Sequence, residues 1–137
     1  MQAAFLDSLS LIPSYFAYLI ASFLVTWLFV AIYIRLTPYR EVHLIRSGNL
    51  SAALSLGGAM LGFVISLAGV IIHSVSLVDL AIWGGVALIV QLAAFFLVRW
   101  VIPELVTGIE RGDLAHGSIL GLASLAAGIL SAACMVP

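Results

Sequence analysis

The sequence predicts an all-α membrane protein: four transmembrane helices from two tandem two-helix repeats in parallel orientation, with short interfacial helices on the cytoplasmic side. Three observations carry that reading. The chain is 64% hydrophobic and only 8% charged, with a mean hydropathy of +1.28, whereas a soluble domain carries about a quarter charged residues. The stretches 8–34, 47–78, 80–98 and 114–137 contain no Asp, Glu, Lys or Arg, and about 18–20 such residues cross the hydrocarbon layer as a helix. Finally, residues 45–65 recur at 109–129 with a constant offset of 64. That offset pairs Arg35 with Arg99, Gly48 with Gly112, Leu56 with Leu120, Gly57 with Gly121 and Ile65 with Ile129. None of the apolar runs alternates with the period of a membrane barrel strand.

The first helix is expected over 12–34 and ends at Arg35, as a stop-transfer segment does. The N-terminus lacks the basic region of a signal peptide, so none is expected. Two short interfacial helices follow Pro38 and Pro103, over Tyr39–Ser47 and Glu104–Arg111, with proline suited to a first helical position. Val42 and Ile45 match Val106 and Ile109 under the offset, and their spacing puts each pair on one helical face, to rest on the membrane or on the bundle.

Gly48 and Gly112 come next, where a left-handed residue past a helix end favours glycine. Asn49 and Asp113 are placed to cap the second and fourth spans, or else to form a paired polar site. The second span is expected over 50–72. Ser76 and Asp79 form a capping motif that opens the third, over 78–98. The fourth covers 114–135, so one integral membrane domain of 137 residues divides into repeats of about 12–73 and 76–137.

Topology follows from charge. Arg35, Arg40, Arg46, Arg99 and Arg111 all lie between spans one and two or three and four, and there is no Lys. The positive-inside rule puts those loops in the cytoplasm and both termini on the periplasmic side. Two spans per repeat imply a pseudo-twofold axis along the membrane normal.

The first and third spans carry the bulky aromatics, among them Tyr15, Phe16, Phe23, Trp27, Trp83 and Phe96. The second has Gly58, Gly62 and Ser66 at four-residue steps, and the fourth has Gly117, Gly121, Ser124 and Gly128. Small residues at that spacing let backbones approach. Spans two and four should therefore pack at the centre of the monomer or of an oligomer, with the bulky first and third spans covering them and meeting lipid.

Chemistry is sparse. No acid or base is expected at depth, where a coupled transporter would place one. Gln91 is the most polar group in mid-span, either an interhelical hydrogen bond or part of a permeation or lipid-headgroup site. His43, His73 and His116 read as interfacial polar residues. His73 and His116 lie at opposite membrane faces and cannot share a metal. Cys134 is alone and reads as a packing residue. No catalytic grouping, phosphate loop or metal motif is present, so neither an enzyme nor a cofactor is expected. A net charge of −1 leaves no basic patch for nucleic acid.

The run from Leu44 to Gly84 (LIRSGNLSAALSLGGAMLGFVISLAGVIIHSVSLVDLAIWG), with Gln91, Arg99 and the Ile109–Met135 segment, resembles the YjfL-like bacterial inner-membrane family. The resemblance implies a multi-pass bacterial membrane protein built from duplicated two-helix units, whose members are linked with envelope-stress and ATP-grasp ligase-like proteins. It carries over no catalytic residues.

The resulting expectation is a non-catalytic scaffold or partner subunit that forms homo-oligomers in the bilayer, with a membrane or peripheral protein as partner. The alternative is a small channel or transporter subunit with a pore at the oligomer or repeat interface. The mismatched positions, Trp27 against Gln91 and Ala52 against His116, are where the halves diverge.

Overall fold

The computed structural model describes residues 1–135, and helices are the only regular elements among them. α1 (Gln2–Ser10) and α2 (Ile12–Leu36) form a nearly continuous rod joined at Leu11. Pro13 sits in the first turn of α2, where its missing N–H breaks nothing. α1 is an addition to the expected first helix: nine residues carrying Asp7 are too short for an apolar-run criterion, and none is buried. α4 (Leu50–His73) and α5 (Leu77–Val101) begin within one residue of their expected starts, and α7 (Leu114–Ala133) begins at 114. α7 stops two residues short of 135, and the last two positions of the second repeat lie outside the described residues.

α3 (Glu41–Arg46) and α6 (Leu105–Glu110) are the short connecting helices. The prolines do not open them. Pro38 and Pro103 stand ahead of the N-cap residues Arg40 and Glu104. Their effect falls on the residue before, where the ring disfavours helical angles. Thr37 at ψ 136° and Ile102 at ψ 89° end α2 and α5. Val42 is 49% exposed and Ile45 partly buried, while Glu41 is the buried residue of α3. In α6, Leu105, Gly108 and Ile109 are buried. Helices this short take their orientation from the tethers at each end rather than from their own periodicity.

Both connectors end in the same hydrogen-bonded turn. The N–H of Gly48 donates to the Ile45 carbonyl and that of Asn49 to Leu44, at 3.0 and 2.9 Å. The N–H of Gly112 donates to Ile109 and that of Asp113 to Gly108, again at 3.0 and 2.9 Å. This pattern needs a left-handed residue just past the helix, and Gly48 (φ 91°) and Gly112 (φ 82°) supply it.

α4 and α7 form the centre. Their contacts ascend together: Ser51 meets Gly117, Gly58 meets Gly121, Gly62 meets Ser124 and Gly128, and Gly69 meets Ala132. The two helices are therefore parallel. A Cβ added at Gly58 would overlap the Gly121 backbone, and one at Gly128 would overlap that of Gly62. The Ser66 hydroxyl donates to the Gly128 carbonyl at 3.0 Å. Close backbone approach is the chief source of packing energy where lipid removes the hydrophobic drive.

A pseudo-twofold between these helices is not what the contacts describe, because a twofold interface uses the same face of both partners. The α7 seam residues Gly117, Gly121, Ser124 and Gly128 correspond at offset 64 to Ala53, Gly57, Met60 and Val64. Gly57 and Val64 are exposed, on the opposite side of α4 from Ser51, Gly58, Gly62 and Ser66. Gly57 accordingly has no packing role: a Cβ there would meet open space. On α7 the counterparts of Gly58 and Ser66 are Leu122 and Leu130, both exposed. The glycine seam exists once, inside the chain.

α2 and α5 cover this pair. Phe29 stacks on Phe63 with centroids 4.3 Å apart, and Tyr33 meets Phe95 edge-on at 5.8 Å. Tyr15, Phe16, Phe23, Trp27, Trp83, Phe96 and Trp100 face outward.

Candidate functional site

Buried polar groups cost about 1–3 kcal/mol each when left without a partner, so their positions mark where function can sit. They occur at mid-depth and at the arginine-bearing end, and a partly exposed polar cavity opens at the other end.

At mid-depth Gln91, fully buried on α5, donates from Nε2 to the Ser124 carbonyl of α7 at 3.1 Å. Gln91 Oε1 and Ser124 Oγ have no partner. The bare Cα of Gly62 makes room for this amide, since a Cβ there would sit 3.1 Å from Nε2. The amide thus closes α5 onto the α4–α7 seam. With the two backbones in contact, the seam itself leaves no space for a pore between the halves.

At the end opposite the arginines, a cavity is lined by Val70, His73, Ser74, Asp79, Trp83 and Cys134. His73 Nδ1 lies 2.9 Å from the Gly69 carbonyl of its own helix. Ser76 Oγ accepts from the Asp79 N–H, and Asp79 Oδ2 accepts from the Val75 N–H, both at 3.2 Å. This reciprocal cap opens α5 and occupies Asp79 structurally.

At the arginine-bearing end, Asn49 and Asp113 part company. Asn49 Oδ1 caps α4 by accepting from the Ala52 N–H at 3.0 Å. Its Nδ2 donates to the Ile109 carbonyl at 2.7 Å. Asp113 holds the N-cap position of α7 but its side chain accepts nothing from that helix. Its Oδ2 turns out to Arg111 at 3.0 Å, because an exposed arginine two residues back competes for the carboxylate. The Asp113 backbone carbonyl is held instead by the Ser51 hydroxyl at 2.7 Å. Neither side chain pairs with the other, so the expected second cap and the paired polar site are both absent.

His116 packs against Gly108, where any Cβ would overlap the imidazole. At offset 64 those positions hold Ala52 and Leu44, so bulk has moved from the connecting helix to the spanning helix. His116 Nδ1 is buried without a hydrogen bond, 3.8 Å from Asp113 Oδ2. His73 and His116 stand at opposite ends of the parallel pair, and no cluster of metal ligands occurs among the described residues. Of the arginines, Arg35, Arg40, Arg46, Arg99 and Arg111 are all exposed at one end of the bundle.

The group that sequence reasoning passed over lies at this same end. Glu41 is 0% exposed and neither carboxyl oxygen has a partner. Tyr33 beside it is buried with an unpartnered hydroxyl, and the Tyr39 hydroxyl lies 3.5 Å from Ser55 Oγ. Burial pushes the Glu41 carboxyl up to about 7, the nearby Tyr39 and Thr37 hydroxyls offsetting only part of the rise. Burial, then the Glu41 charge, push the Tyr39 phenol up as well. A signal was available: Phe29, Tyr33, Thr37 and Glu41 follow at four-residue steps, and all four are buried.

Residues 6–135 match the model of DUF350, a domain of unknown function. The chain belongs to the DUF350 family. Within it, the UPF0719 inner membrane protein YjfL of Escherichia coli (strain K12) is 41% identical over 130 residues, covering 95% of this chain and 96% of that protein. The protein of the same name from Escherichia coli O157:H7 matches to the same extent. No solved structure matches. As a DUF350 member with four helices, among the described residues, long and apolar enough to cross a bilayer, the chain is a multi-pass helical membrane protein.

Proposed function

We propose that this DUF350 chain is a non-catalytic subunit of the bacterial inner membrane that self-associates and acts as a scaffold or partner for other envelope proteins. Its halves, about 12–73 and 76–137, are tandem two-helix copies entering the membrane in the same sense, with both termini periplasmic. The recurrence of one hydrogen-bonded turn at an offset of 64 supports the duplication. The confinement of all arginines to one end supports the orientation.

The observation that carries self-association is the uneven burial of the helices. The small-residue faces that would draw two chains together are consumed inside this one. α2, by contrast, has 25 residues and buries only Phe29 and Tyr33. Its outward side presents Tyr15, Phe16, Phe23 and Trp27, the residue types enriched at interface cores. With Cys134 replaced by Ala, Phe23→Cys should cross-link between chains in native membranes, while Leu61→Cys at an exposed position of α4 should not. Absence of cross-linking at both positions overturns this interface. Cys134 is exposed and should react with an impermeant maleimide from the periplasmic side. Labelling from the cytoplasm alone reverses the orientation.

One observation favours the second reading, a small channel or transporter subunit. Gln91 Oε1 and Ser124 Oγ are unpartnered at depth. Because the seam is closed, such a pore would run along an oligomer axis. Flux in proteoliposomes that disappears in Gln91→Leu supports it, and silence with normal assembly supports the scaffold.

A further inference from the structure

Glu41 is a carboxyl removed from water with no cation to meet it. The groups around it come from three elements. α2 contributes Tyr33, the following turn contributes Thr37 and Tyr39, and α4 contributes Ser55, which Tyr39 approaches. α4 carries no charged residue from Leu50 to Ile72. α5 meets Tyr33 with the apolar ring of Phe95. Arg35, Arg40, His43 and Arg46, the neighbours in sequence, are exposed, and none forms an ion pair with the carboxyl. At the offset of 64 the corresponding residue is Leu105, buried to the same degree. The fold thus buries an uncharged side chain at this point in one half and an acid in the other.

We propose that Glu41, with the hydroxyls of Tyr33 and Tyr39, forms a proton-binding site at the arginine-bearing end of the bundle. The carboxyl is held as the neutral acid while α3 is seated. With neither carboxyl oxygen hydrogen-bonded, an ionised carboxylate would be buried with no charge to balance it, and burial favours the neutral acid. The site has an outlet. A shallow cavity lined by Ile34, Thr37, Tyr39, Arg40 and His43 opens beside Glu41. The raised proton affinity of the carboxyl agrees with this geometry.

Dicyclohexylcarbodiimide tests the site, because it adds to protonated carboxyls in apolar surroundings and leaves a stable N-acylurea. Full-length protein in lipid nanodiscs would be treated between about pH 5 and pH 9 and mapped by peptide mass spectrometry. The peptide containing Glu41 should label, about tenfold less at pH 8 than at pH 6 for a midpoint near 7. Glu41→Gln should abolish the adduct. Tyr39→Phe should move the midpoint upward, since the lost hydroxyl favours the carboxylate. Should Glu41→Gln fail to fold, the wild-type titration and the Tyr39→Phe shift still decide. No labelling at any pH, a midpoint in the ordinary carboxylate range, or protection by sodium but not choline chloride would each overturn the proposal, the last by showing a metal cation site.

Discussion

The side-chain amide of Asn49 donates to the backbone carbonyl of Ile109 across 2.7 Å, joining two turns that lie 60 residues apart in sequence. The same side chain caps α4 through Ala52. One residue therefore closes a helix start and fastens the first connector to the second. Asp113, its counterpart at an offset of 64, does neither with its side chain. The two positions look alike in sequence and differ in what they hold.

Asn49→Ala removes a cap, worth about 0.5–2 kcal/mol, together with a cross-connector hydrogen bond worth about 1 kcal/mol. A total loss of about 1.5–3 kcal/mol is expected. Asp113→Ala removes an exposed pair with Arg111 and a longer contact with His116, an exposed pair being worth less than about 1 kcal/mol. Reversible unfolding in mixed micelles distinguishes the two, and equal losses would contradict the assignment.

The seam makes an equally asymmetric prediction for glycine. Gly128→Leu drives a side chain into the Gly62 backbone and should prevent α4 and α7 from docking, with loss of the native bundle on gel filtration. Gly57→Leu places its side chain in open space, toward lipid, and should leave the fold intact.

Glu41 gives a pH dependence with a defined sign. Its carboxyl is raised from 4.5 to about 7 in the folded chain, so the folded state binds the extra proton. Its contribution to stability is fully present below about pH 4.5, falls as pH rises through the window to about 7, and is constant above it. The span corresponds to a change on the order of 3 kcal/mol. Glu41→Leu, which copies the buried Leu105 of the other half, should flatten that slope and exceed the wild type in stability at pH 8. A variant that keeps the wild-type slope would assign it to another group.

Much of this fold is legible in the residues themselves. Spans α4, α5 and α7 stand out because their apolar runs exceed the bilayer thickness, and Gly48 and Gly112 because a left-handed turn selects glycine. The stepped small residues of α4 and α7 likewise predict their contact. What periodicity could not supply is which side of each helix meets which partner: Gly57 and Gly121 match in sequence, yet only Gly121 lies in the seam. Glu41 was hidden for a different reason. In the first turn of a short helix beside arginines, an acid reads as a solvated residue facing a helix dipole. Only the folded chain shows Tyr33 and Tyr39 closing over it. α1 escaped because nine residues with one aspartate satisfy no span criterion.

The mass of the assembly in lipid tests the central claim most directly. Protein extracted from native membranes into polymer-bounded discs, without detergent, can be weighed particle by particle. The account predicts two or more copies in each particle, reduced by Phe23→Asp and Trp27→Asp on the outward face of α2 and unaffected by Gly57→Leu. One copy per particle at every protein-to-lipid ratio would contradict it.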